Sequence, residues 1–151
     1  MLSRAVYLTT LIATLFCAAI NAYTYQVMYP VWRTLDSPNF VALHRDYLDR
    51  LWPVITVPHV VMFFASAALI ALRPAFVSRG EAIAVFALDA GVVVLSAFWA
   101  GPIHGRFEQQ GFADAVGLRT LIAISLARTA MMLASCWVLC AALLRGLRAA
   151  A

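Results

Sequence analysis

The chain contains no lysine: all eleven basic residues are arginine, set against only seven acids. Charged residues make up 12% of the 151 positions. A soluble domain of this size would be about a quarter charged, so water is not the principal solvent. The arginines are scattered between apolar runs, with no basic stripe interleaved with aromatics, which excludes nucleic acid as a partner class. HxxxH, HExxH and CxxCH are absent, so no spacing alone names a metal or haem site. The three cysteines, Cys17, Cys136 and Cys140, all lie in apolar runs with no further soft ligands nearby. They read as small buried hydrophobes.

Hydrophobic residues, at 64%, dominate what is present. A bilayer-crossing helix takes about 20 mostly apolar residues. Four stretches qualify, near 5–28, 52–72, 82–101 and 118–144. The first resembles a signal peptide, but Ile20 occupies a position that cleavage after Ala22 would reserve for a small side chain. It is expected to remain as a span. The fold class expected is therefore all-α: one domain over 1–151, an integral membrane four-helix bundle.

The two longer connections carry most of the polar residues. Ser37-Pro38 is a good helix start, and the segment that follows is amphipathic. Phe40, Leu43, His44, Tyr47 and Leu51 share one face, with Arg45, Asp46, Asp49 and Arg50 on the other. This segment, near 38–50, is expected as a cap helix over one bundle end. The segment 102–117 is expected as a second, bent cap at the same end. Shifted by 72 residues, Pro30 meets Pro102, Asp36 meets Glu108 and Phe40 meets Phe112, which points to a duplicated helical hairpin. Arginines close to span ends (Arg4, Arg73, Arg79, Arg145, Arg148) favour cytoplasmic termini in a bacterial-type inner (plasma) membrane. Tyr23, Tyr25, Tyr29, Trp32, Trp52 and Trp99 gather at the capped side as an expected interfacial belt.

Ionisable groups inside a span are costly and mark a pair, a pathway or a site. Asp89 and Arg128 are two such groups, and similar depths from opposite helix ends predict that they are neighbours. His59, next to Pro58, sits about 10 Å below the capped face at 1.5 Å per residue. His44 and His104 belong to the two caps, so every histidine falls at one end. The expected site is a pocket lined by His44, His59, His104 and Arg128, with Asn21 and Gln26 at its wall and Asp89 in support. Three converging imidazoles would suit copper, iron or zinc, and two would suit haem; a metal-free polar pocket is the other reading.

The order of these features resembles the anthrone oxygenase-like family of small four-helix membrane proteins. The similar residues are Tyr29-Pro30-x-Trp32, Asn39-Phe40 with His44, Pro102-x-His104, Gly111-Phe112 and Arg128-Thr129. Relatives place Asn-Trp shortly before the last arginine, where this chain has Ser125-Leu126. The resemblance implies an oxidoreductase or oxygenase acting on an apolar aromatic, polycyclic phenol-like substrate that enters from the lipid. His59 or His104 would then be the base and Arg128 the anion partner. The rival from another class is an accessory subunit or assembly helper, with a membrane-protein partner or a second copy on its lipid-facing surface.

Overall fold

The computed structural model describes residues 1–35 and 37–150. Asp36, and with it one half of the Asp36/Glu108 match, lies outside the described residues. So do the side chains of Ser37, Leu51 and Trp52, which had been assigned to a helix start, an apolar face and the belt. Four long helices make the fold: α1 Leu2–Trp32, α2 Ser37–Leu72, α3 Arg79–Gln110 and α4 Ala115–Ala150. All four contain a segment long and apolar enough to cross a membrane, and the chain is a multi-pass membrane protein. Each helix packs on its two neighbours in a ring ordered α1, α2, α3, α4. Chain termini and the α2–α3 turn lie at one end, which we call the terminal end. The histidine end is opposite.

Both capping segments lie at the histidine end as expected, but neither is a separate piece. The first is the N-terminal part of α2, which runs through Pro53 and Pro58 without a break. The second is the last part of α3, which continues to Gln110. Proline removes one backbone donor and pushes on the carbonyl four residues back. Membrane helices absorb this by local adjustment and packing against neighbours. At 1.5 Å per residue α2 is about 54 Å long, well beyond a hydrocarbon core about 30 Å thick, so the bundle itself extends past the apolar layer.

The 72-residue repeat has a structural counterpart. Thr24–Met28 in α1 and Ser96–Ala100 in α3 are π-helical, and each immediately precedes the turn that carries Pro30 or Pro102. The widened turn makes room for the proline ring, at the helix position where its clash falls. Thr24 and Ser96 open these segments, and each hydroxyl donates to the carbonyl four residues earlier, on Ile20 and Val92. Trp32 and His104, also 72 apart, face each other with ring centroids 5.6 Å apart. The 72-residue offset thus recurs in backbone geometry.

Turns at both ends are chemically specified. Ser78 and Glu81 form a reciprocal capping box at the start of α3, and Glu81 also pairs with Arg145 of α4. Gly111, at φ 78°, closes α3 in the left-handed region that favours glycine. Two aromatic expectations change. Tyr29 and Trp32 are buried, with Trp32 in contact with Phe40, His44 and Tyr47; they belong to the core of the histidine end, while Tyr23 and Trp99 remain exposed in keeping with a belt. Cys17 and Cys136 are buried, but Cys140 faces outward.

Candidate functional site

Asp89 and Arg128 do not meet. Asp89 of α3 accepts a hydrogen bond from Ser135 of α4 at 2.9 Å, whereas Arg128 of α4 donates to Ser96 of α3 at 2.9 Å. The antiparallel register therefore sets Asp89 opposite Ser135, seven residues and about 10 Å of helix from Arg128. The expectation of equal depths took both helices to end with their apolar runs. In fact α3 continues to Gln110 and α4 starts at Ala115, which shifts the register by two turns.

Arg128 is 9% exposed. Besides Ser96 it donates to Ser125 at 2.9 Å, and it interacts with the Tyr29 hydroxyl. None of these partners is an anion, and its Nε is buried without any partner. Among the described residues no carboxylate lies within ion-pair distance of it. A guanidinium held in low dielectric with neutral acceptors only is incompletely compensated.

His59 faces the same space. Its Nδ1 lies 2.7 Å from the Ile55 carbonyl, which can only accept, so Nδ1 carries the proton. Nε2 is then left as a bare acceptor in the neutral ring, and it too is buried with no partner. A cavity of about 190 Å³ has both residues in its wall, together with His104, Tyr29, Tyr47 and Asn21. Asn21 is fixed there by donating to the Ser125 carbonyl and to Thr129, at 2.6 and 2.7 Å.

The other histidines form a second layer toward the end of the bundle. His44 Nε2 and His104 Nδ1 are 3.3 Å apart, with the rings stacked at 5.5 Å. His104 reaches the cavity wall; His44 stands behind it, against Trp32 and Phe40. Burial pushes the His44 pKa down, and the nearby Glu108 carboxylate opposes the shift. Burial also pushes the Tyr47 hydroxyl up to about 12, so it faces the cavity as a neutral hydroxyl.

Sequence reasoning therefore placed His59, His104, Arg128 and Asn21 on one cavity. It misplaced Gln26, which is exposed and donates to Tyr25, and Asp89, which belongs to a separate polar cluster. Nor do the three imidazoles converge: among the described residues no three His, Cys, Asp or Glu side chains are grouped to hold a metal ion. The residues missed were Tyr29, Tyr47, Thr24 and Ser96. Tyr47 already lay on the predicted inner face with His44, and its polar tip was the unused signal. No family model matches this chain, nor does any curated protein or solved structure.

Proposed function

We propose that the protein is a membrane oxidoreductase or oxygenase whose substrate is an apolar aromatic compound bearing a phenolic oxygen. The observation that carries this reading is the pair of unpartnered buried nitrogens, Arg128 Nε and His59 Nε2, on two residues that line one cavity. Arg128 is a fixed donor and His59 a fixed acceptor. Together they suit a group that gives up a proton and keeps the electron pair on oxygen.

The resemblance to the anthrone oxygenase-like proteins supplies the reaction class. His59 Nε2 takes a proton from an activated ring carbon, and the electron pair spreads to the ring oxygen held by Arg128. Dioxygen, itself soluble in lipid, bonds to that carbon. The methylene becomes a carbonyl as one dioxygen is consumed, and two hydrogens leave with the second oxygen atom as water. Tyr29 and Tyr47 keep the oxyanion hydrogen-bonded. With cytoplasmic termini, as the arginines near span ends favour, this chemistry lies near the opposite face.

The test is dioxygen uptake by the protein in lipid nanodiscs supplied with a phenolic carbon acid, monocyclic in one series and polycyclic in another. The wild type should exceed the rate of protein-free discs, and His59→Gln and Arg128→Gln should lose the excess while retaining helical circular dichroism. Equal rates with and without protein, or variants as fast as wild type, would overturn the reading.

A further inference from the structure

The cavity has a side opening. Between α2 and α3 an apolar groove of about 490 Å³ runs along the lipid-facing surface, walled by Val60, Phe63, Phe64, Val93 and Ala97. The groove and the cavity share Ile55, Thr56, His59, Ser96, Gly101 and Arg128. Phe64 is 65% exposed and Ala97 is exposed, so the groove opens to the acyl chains rather than to water. An apolar path thus leads from the bilayer to His59 and Arg128, the two residues that each carry an unpartnered buried nitrogen.

The dimensions select a shape. A cavity of about 150 Å³ holds one benzene, and sites for drug-sized ligands start near ~300 Å³. At about 190 Å³ the polar cavity takes a single ring. The groove, more than twice as large, takes an extended apolar remainder.

The polar atoms select a chemistry. His59 Nε2 can only accept, because its Nδ1 proton is committed to Ile55. Arg128 can only donate. One ligand group between them must both donate and accept, which a hydroxyl does. A carboxylate would set its lone pairs against that of His59. An aliphatic alcohol would match the hydrogen bonds, but it would leave the ring-sized cavity unfilled and give Arg128 no developing charge to hold.

Resting on the phenol reading above, we propose that the ligand is a tailed monocyclic phenol or hydroquinone, drawn laterally from the bilayer. Its ring hydroxyl sits between His59 Nε2 and Arg128, and its alkyl chain leaves through the α2–α3 groove. Lipid and groove are equally apolar, so the tail contributes little affinity at a given membrane concentration. The groove's role is access. A ring that keeps its chain in the membrane enters without the chain crossing water.

The experiment measures binding, not turnover. Wild-type protein in phosphatidylcholine nanodiscs is equilibrated with para-nonylphenol, para-cresol or decanoate, and ligand bound in excess of empty discs is measured at equal bilayer mole fraction. Both phenols should bind and decanoate should not. Ala97→Trp fills the groove from α3 without touching the cavity, and Val60→Trp does so from α2. Either should weaken para-nonylphenol about tenfold or more, the penalty for one overpacked bulky group, while para-cresol stays within about twofold. Arg128→Gln should weaken both phenols. If the groove variants affect the two phenols alike, the tailed class is overturned and the phenol reading stands. If decanoate binds as well as para-nonylphenol, the hydroxyl assignment is overturned. If neither phenol exceeds empty discs, this proposal and the proposed function both fall.

Discussion

Asp89 of α3 and Arg128 of α4 are both ionisable side chains buried inside the bundle, and their surroundings differ in kind. Asp89 is fully buried among hydroxyls drawn from the other three helices: Ser135 at 2.9 Å, Thr14 at 3.5 Å, and Ser66. Thr14 has one hydrogen, and the Thr10 carbonyl at 2.8 Å takes it. Ser66 likewise donates to the Phe63 carbonyl. Ser135 donates to Oδ1, and the Thr14 hydroxyl lies against Oδ2, so both carboxyl oxygens meet a hydroxyl. Among the described residues no side-chain N or O of that cluster is buried without a partner. Around Arg128 the reverse holds: a donor, Arg128 Nε, and an acceptor, His59 Nε2, are left over on two residues that line one cavity. A closed network is architecture, because no further group would gain by entering it. An open one with complementary ends is where a ligand gains.

The largest effect should come from the acceptor at the open end. His59→Gln removes the base, and a positioned base contributes about 10²–10⁴ in rate. Turnover should fall by that order while thermal unfolding in detergent changes little. Loss of fold without any specific loss of turnover or binding would make His59 architectural and dissolve the contrast.

Arg128→Gln is next. Removing one donor to a developing oxyanion costs about 10²–10³ in kcat. Stability should hold or rise, since an incompletely compensated buried charge is removed. Ser96 is not orphaned, because its own hydroxyl donates to the Val92 carbonyl at 2.8 Å. A fall in melting temperature as large as that of a core truncation would show that Arg128 holds the helices together instead.

At the closed end the expected effects are on stability alone. Asp89→Asn keeps an acceptor for Ser135 and a donor for Thr14, and should change unfolding by less than about 1 kcal/mol. Asp89→Leu leaves the Ser135 hydroxyl buried without its acceptor, which costs roughly 1–3 kcal/mol. Neither should alter ligand binding by wild-type-like protein. Equal damage from Asn and Leu would mean that the ionised carboxylate itself holds the cluster together.

What the sequence shows of this contrast follows from what each signal measures. Apolar run length is local, so all four spans are legible, and so is the gathering of the three histidines at one end. Helix continuity through Pro53, Pro58 and Pro102 is not legible, because proline reads as a break while the compensation comes from neighbouring helices and π-turns. That one ambiguity moved the register by two turns and created the expected Asp89–Arg128 pair. The 72-residue echo of Pro30 and Pro102 was visible, but the π-helical turns it marks depend on backbone geometry. The lateral groove has no sequence signature: Val60, Val93 and Ala97 look like any lipid-facing residues until α2 and α3 are set side by side.

The smallest effect should come from the layer behind the site. His44 is 1% exposed, stacked on Phe40 at 5.2 Å and edge-on to Trp32 at 5.0 Å. Its titratable and charged neighbours are His104, at 3.3 Å, and Glu108, which is itself paired with Arg45 at 3.7 Å. Burial outweighs the Glu108 attraction and lowers the folded-state pKa. Below the unfolded value, about 6.5, the unfolded chain therefore binds more protons at this residue than the folded one. The contribution to stability is complete above that pH. It is lost as pH falls from there through the depressed folded pKa, at no more than about 1.4 kcal/mol per pH unit for one proton. His44→Phe keeps the aromatic stack and removes the titration, so melting temperature should fall less steeply with acid in the variant than in wild type. His104 remains in the variant without its His44 neighbour, so the difference between the two slopes belongs to the His44–His104 pair. Identical slopes would mean that acid acts elsewhere and that the His44–His104 contact, like the Asp89 cluster, is packing alone.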